Sequence, residues 1–189
     1  MIILVVGLVL FLSVHLIALT PWRETLIAHL GVRGYKGAVS VVSLVTIAIM
    51  AWGFAAMRTD HLAGRIVYQP PEWARHATMG LVFLAFILLG IALHKGRLRL
   101  WLRTPLAIAT VLWAGGHLLS NGRLGDVVLF GAFFVYGLFD GIVRQAKGRV
   151  EPFTPKPSHD YIAPVAGAFM YAIVLFLHPW LFGVAVIDF

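Results

Sequence analysis

Histidine is the residue type with the greatest chemical capacity in this sequence. The 189 residues include eight histidines and no cysteine. The lack of cysteine excludes thiolate-bound zinc, iron–sulfur clusters and thiolate-ligated haem, so any transition metal held by side chains must depend on imidazole. Four histidines lie within or at the edge of apolar runs, namely His15, His76, His117 and His178.

Two interpretations of these four histidines stay open. In the first, the rings form hydrogen bonds between membrane helices and bind no cofactor. In the second, two neutral imidazoles on two helices ligate one haem iron from opposite faces. Phe11 and Trp113 each precede a histidine, His15 and His117, by four residues. This spacing places each pair on one helical face, where the aromatic rings can pack on a porphyrin.

The segment around His117 adds two further candidates for cofactor packing. Gly116 removes side-chain bulk directly before the histidine and is expected to leave a slot beside a planar group. Asn121 follows one turn later, at the expected end of the helix. His76 and His178 remain secondary candidate ligands, and no residue pattern identifies a catalytic group.

Long apolar runs must position these side chains. The sequence is 60% hydrophobic and 12% charged, with a mean hydropathy of +0.90. A soluble domain of this size could not bury that much apolar surface. Six runs approach the roughly 20 residues that a membrane span needs. They are Ile2–Leu19, Ala38–Met57, Ala77–Leu93, Pro105–Leu119, Val127–Val143 and Tyr161–Gly183. We therefore predict an all-α polytopic bundle of six transmembrane helices, forming a single integral membrane domain over residues 1–189.

The basic residues that give the net charge of +7 lie in the loops between these runs. The first, third and fifth loops hold three, four and four basic residues, whereas the other face holds four in total. Basic loops remain on the cytoplasmic side, so both termini are predicted to lie on the external, periplasmic side. Because the basic residues mark topology, we expect no nucleic-acid partner. The predicted location is the bacterial inner membrane, with bilayer lipid as the surrounding partner.

The segment from Trp113 to Gly122 resembles the W-A-x-x-H-L-x-x-N-G signature of the NnrU family. Val128 to Gly131, the first run ending near His15, Arg75-His76, and Leu177 to Gly183 extend the resemblance over nearly the full chain. The chain departs from the family pattern before the fourth run, where Arg103-Thr104-Pro105 stands in place of Arg-His-Pro. This difference disfavours a methyl-transfer activity.

The resemblance implies a cofactor and two kinds of function. Bacterial members of the family are associated with denitrification, and a plant and cyanobacterial relative is the haem b enzyme ζ-carotene isomerase. By motif, the two histidine ligands of that relative correspond to His15 and His117. The relative also has a cysteine three residues before the second histidine, where this chain has Ala114. A ligand exchange through that thiolate is therefore not available here.

The resemblance favours haem b held by His15 and His117 in a protein linked to nitrogen-oxide metabolism, with nitric oxide or a lipophilic molecule as ligand and respiratory membrane proteins as partners. Three alternatives remain: a haem-dependent cis–trans isomerase of a polyene lipid, a cofactor-free membrane assembly or interaction protein, and a small transporter. The predicted topology also raises a difficulty. It places the two histidines on opposite sides of the midplane, offset by roughly 15 Å, against a Cα separation of roughly 12–13 Å for two imidazoles on one iron.

Overall fold

The computed structural model describes residues 1–148 and 153–186, and within these ranges the chain forms seven α-helices. Their bounds are α1 Ile2–Ile17, α2 Trp22–Ala56, α3 Ala74–Leu93, α4 Arg97–Leu102, α5 Pro105–Ser120, α6 Leu124–Ala146 and α7 His159–Phe182. The predicted all-α class is confirmed. In the described part of the chain, the only pairing of the β type is an isolated bridge between Ile66 and Arg123.

Six of the helices correspond to the six predicted runs, but they differ in length. Four of them, α2, α3, α6 and α7, are long and apolar enough to cross a membrane. Helices α1 and α5 are apolar but have only 16 residues each. At 1.5 Å per residue they span about 24 Å, less than the hydrocarbon core of a typical bilayer. The chain is therefore a multi-pass membrane protein by its apolar helices, and six complete crossings remain a prediction.

Helix α2 begins earlier than the sequence predicted. It contains a kink at Gly31, whose φ of 70° belongs to the region that favours glycine. The short stretch before the kink begins at Trp22, outside the predicted second run. The stretch after it carries Arg33 and Lys36 on helical turns rather than in a loop.

The main helix contacts run in the order α2–α1–α6–α5–α3–α7. Helix α6 therefore lies between α1, which carries His15, and α5, which carries His117. Lipid tails are as apolar as the helices, so association depends on close packing and interhelical hydrogen bonds. Thr78 on α3 provides such bonds, since its hydroxyl donates to the Gly116 carbonyl of α5 at 2.6 Å and its oxygen is 3.0 Å from the Ser120 hydroxyl, from which it accepts.

Small residues bring α3 and α7 into backbone contact. A Cβ on Gly90 would collide with the Ala163 carbonyl oxygen, and a Cβ on Gly167 would collide with the Phe86 carbonyl oxygen. Ala163 and Gly167 are four residues apart, which is the small-xxx-small spacing of close membrane-helix pairs. This contact fixes the position of α7 independently of α6.

A segment that we call the strap, residues 60–73, crosses the C-terminal end of α5 and the N-terminal end of α6. The backbone amide of Val67 donates to the Gly122 carbonyl at 2.8 Å, and Leu124 donates to the Arg65 carbonyl at 2.8 Å. Gly122 must lack a side chain, because the Tyr68 carbonyl occupies the place of its Cβ. The strap holds the α5–α6 corner, where the Asn121-Gly122 pair lies.

The carboxylate of Asp60 fixes the start of the strap. It accepts a hydrogen bond from the Met1 amino group at 2.8 Å and from the backbone amides of Leu62 and Ala63 at 2.9 and 3.2 Å. The hydrogen bond from the ammonium group and those from the two amides hold the pKa of Asp60 below its usual range. The charged form of Asp60 therefore ties α1 to the strap.

Candidate functional site

His117 lies on α5 and is turned toward α6. Its Nδ1 donates to the Trp113 carbonyl at 2.9 Å, one turn earlier on the same helix. The imidazole stacks on Phe130 of α6, with ring centroids 4.5 Å apart and an interplanar angle of 26°. Trp113 lies beside the imidazole at 5.3 Å. The predicted pairing of Trp113 with His117 on one helical face is confirmed.

His15 has an equivalent environment on the other side of α6. Its Nδ1 donates to the Phe11 carbonyl at 2.8 Å, and its ring stacks on Phe11 at 4.1 Å. The edge of the Tyr136 ring, from α6, lies 6.3 Å away. The predicted pairing of Phe11 with His15 is therefore also confirmed.

Phe133 of α6 joins the two histidine environments. Its ring centroid lies 5.6 Å from that of Phe11 and 5.5 Å from that of Trp113. A continuous series of ring contacts, which we call the aromatic chain, thus runs His15–Phe11–Phe133–Trp113–His117. This aromatic chain crosses α6, so the two histidines that the family motif indicates belong to one connected cluster of rings.

The contacts with α6 give an estimate of the depth difference between the two histidines. His15 contacts Tyr136 and His117 contacts Phe130, and these two residues are six positions apart on α6. At 1.5 Å per residue, six positions correspond to about 9 Å along α6, whereas the run midpoints gave roughly 15 Å.

The hydrogen bonds determine which ring nitrogen is available. A carbonyl oxygen only accepts, so Nδ1 carries the hydrogen in both His15 and His117, and the neutral ring keeps a lone pair on Nε2. Within the described residues, Nε2 of either ring forms no hydrogen bond. His29 and His94 form the same bond to the carbonyl four residues earlier. The tautomer is thus common to helical histidines, and the aromatic chain is what distinguishes His15 and His117.

The glycines beside His117 serve helix packing. A Cβ on Gly116 would lie 3.2 Å from Leu81 Cβ, on α3, and one on Gly115 would lie 3.1 Å from Phe134, on α6. The thin face at Gly116 is thus occupied by α3, and its role beside a cofactor remains a prediction. Ala114 is fully buried, with no exposed surface.

Asn121 follows the last residue of α5 and lies four residues after His117. Its side-chain amide donates to the His117 carbonyl at 2.8 Å, and its own carbonyl accepts from the Tyr68 hydroxyl at 3.0 Å. Burial, with a smaller contribution from Asp126, raises the pKa of Tyr68, so its phenol stays protonated and keeps donating. Asn121 therefore connects the strap to the turn that carries His117, and contact with a cofactor remains a prediction for this residue.

The secondary candidates, His76 and His178, lie outside the aromatic chain. His76 is exposed in the first turn of α3. His178 is near the end of α7, where its Nδ1 donates to the Val184 carbonyl at 2.8 Å. Across the described ranges, no three His, Asp or Glu side chains come together as a metal-binding group. His76 and His178 therefore stay secondary candidate ligands.

The contribution of α6 was not predicted from the sequence. One face of this helix carries residues at spacings of three or four, namely Phe130, Phe133, Tyr136, Asp140 and Arg144. Arg144 Nε lies 2.8 Å from both carboxylate oxygens of the buried Asp140, so the two side chains form an ion pair. The helical period of these polar and aromatic residues was the signal that could have found this face.

An apolar groove of about 570 Å³ opens between α1 and α6. Leu12 and Leu16 line it from α1, and Val135, Tyr136 and Phe139 line it from α6. Tyr136 therefore lies between this groove and His15, since its ring centroid is 6.3 Å from that of His15.

Comparison with known proteins gives one match. The sequence profile described as "NnrU protein" matches residues 3–186. No curated protein and no solved structure matches the chain.

Proposed function

This chain belongs to the NnrU family, and we propose that it is an inner-membrane protein that binds haem b through His15 and His117. The aromatic chain is the observation that carries the proposal. It connects two histidines from two helices across α6, and both rings have Nδ1 engaged and Nε2 available.

The residues fit this cofactor by their chemistry. Neutral imidazole is an established axial ligand of haem iron, and a hydrogen bond from Nδ1 to a carbonyl fixes the tautomer and the ring orientation that ligation through Nε2 needs. Phe11, Phe133 and Trp113 provide apolar surfaces of the kind that pack on a porphyrin. In this structure these rings contact one another, so binding requires them to change rotamer and separate.

Haem iron, when bound, would supply electron transfer or a site for nitric oxide. The chain itself would hold the iron with imidazole only, because residue 114 is alanine and the sequence has no cysteine. Asn121 and the strap would maintain the position of the turn that carries His117. The α1–α6 groove would admit a small apolar ligand from the bilayer to the His15 end.

The proposed topology has six crossings with both termini outside. It is supported by the excess of basic residues between the first and second, third and fourth, and fifth and sixth apolar runs of the sequence. The shorter helices α1 and α5 would cross with the help of adjacent residues or local bilayer thinning, each at modest cost. The proposed link to nitrogen-oxide metabolism rests on the family resemblance.

A second candidate is a cofactor-free membrane protein in which the histidines stabilise the bundle. The ring contacts of 4.1 Å for His15 and 4.5 Å for His117 favour it, since both imidazoles already pack on aromatic neighbours. In that case, replacement of either histidine would lower stability and no haem would be found.

Haem content of single variants separates the two candidates. The full chain is expressed with haem supplied, purified in detergent, and assayed by absorption and pyridine haemochrome. We expect one haem per chain in the wild type and a strong loss of bound haem in His15→Ala and His117→Ala. His94→Ala is the matched control, because its ring has the same Nδ1 bond but lies outside the aromatic chain. Full haem content in both His15→Ala and His117→Ala would exclude the proposed ligand pair.

A further inference from the structure

The short helix α4 forms a cationic surface that the haem proposal does not use. Arg97 and Trp101 are one helical turn apart and therefore share a face, and both are exposed, Trp101 by 81%. Leu98 and Leu102, on the other side of the helix, are half-buried. The exposed face of α4 therefore carries a guanidinium and an indole, whereas its half-buried face carries two leucines.

The positive charges around α4 are not neutralised within the described residues. Lys95, Arg97 and Arg103 are exposed, and none of them forms an ion pair with a described residue. The nearby Asp160 carboxylate accepts a hydrogen bond from the Leu98 backbone amide at 3.1 Å. The same stretch includes Arg99, which lies over the Phe153 ring, so four cations fall within nine residues of sequence and none forms an ion pair with a described residue.

The position of α4 indicates which kind of anion would meet these charges. The helix connects the end of α3 to the start of α5, where Leu93 and Leu106 are exposed by 64% and 55%. Apolar side chains exposed on both flanking membrane helices place α4 at the boundary of the hydrocarbon region. Tryptophan is enriched at this depth, and basic clusters next to membrane helices attract anionic lipid.

We propose that α4 and its flanking residues bind the headgroup of an anionic phospholipid. Lys95, Arg97 and Arg103 supply the charge that complements the lipid phosphate, and Trp101 anchors the surface at the level of the glycerol. A nucleic acid or an acidic protein segment would satisfy the charges but would leave the indole exposed. This inference is independent of haem binding.

Native mass spectrometry of the detergent-purified full chain tests the proposal. Phosphatidylglycerol and phosphatidylcholine with identical acyl chains are added in parallel, and the bound lipid is counted. The wild type is expected to retain phosphatidylglycerol in preference. Arg97→Gln should lower its affinity for phosphatidylglycerol by about fivefold, the effect of one basic residue at a membrane surface. Arg97→Lys should keep the preference.

Arg65→Gln is the matched control, because Arg65 is exposed on the strap, at the opposite end of the helices. It removes the same charge and should leave lipid binding unchanged. Equal retention of the two lipids by the wild type, or an equal loss in Arg97→Gln and Arg65→Gln, would overturn the proposal. Release of phosphatidylglycerol by inorganic phosphate would do so as well, since the surface would then select a free anion.

Discussion

Replacing Gly90 by alanine tests the α3–α7 contact that fixes one side of the bundle. The new Cβ would collide with the Ala163 carbonyl oxygen and lie 3.0 and 3.1 Å from the backbone nitrogen and Cα of Gly167. All three atoms belong to the backbone, so no rotamer change relieves the crowding and α7 must shift. Overpacking of this kind costs about 1–3 kcal/mol.

This cost can be measured as a fall in melting temperature. For a chain of this length, 1 kcal/mol corresponds to roughly 2–4 °C, so Gly90→Ala should lower Tm by about 2–12 °C in detergent, followed by tryptophan fluorescence. Gly80→Ala is the control on the same helix, since nothing lies within 4 Å of its Cβ. That variant should keep or slightly raise Tm through better helix propensity. A Tm for Gly90→Ala equal to that of Gly80→Ala would refute the described packing.

Three further predictions concern the strap and α6. Gly122→Ala should displace the Tyr68 carbonyl and release the strap, so limited proteolysis within residues 60–73 should become faster than in Gly131→Ala, whose Cβ would meet open space. Asp140→Asn should lower stability by about 1–2 kcal/mol, because it loses a charge-assisted bond from Arg144; an unchanged Tm would contradict this. Because the folded-state pKa of Asp60 is lowered, its stabilising contribution is present at neutral pH and lost as pH falls through that pKa. The difference in Tm between wild type and Asp60→Asn should therefore shrink on acidification, and a constant difference would exclude the charged tether.

Hydrophobic run length gave the number and approximate bounds of the major helices. The kink at Gly31 and the separate α4 were not predicted, because Gly31 precedes the predicted run Ala38–Met57 and the positive φ of Arg103 does not affect hydropathy. The order of helix contacts was also not predictable. In a lipid-solvated helix the faces toward lipid and toward protein are both apolar, so the pattern does not show which face packs.

The candidate site could be predicted in part. Spacing of four residues correctly paired Phe11 with His15 and Trp113 with His117, because the helical period alone determines these contacts. Phe133, the residue that joins both pairs, required the knowledge that α6 lies between α1 and α5. Gly116 was expected beside a cofactor, whereas its close contact is with α3. A glycine indicates that another group packs closely against the helix, but it does not indicate which group.

We propose that His15 and His117 would together hold one haem iron through their imidazole rings. Electron paramagnetic resonance of the ferric wild-type protein, purified after expression with haem, tests it most directly. We expect a single low-spin signal typical of two imidazole ligands, with one iron per chain. A high-spin signal, or no haem iron in a folded and monodisperse preparation, would contradict it.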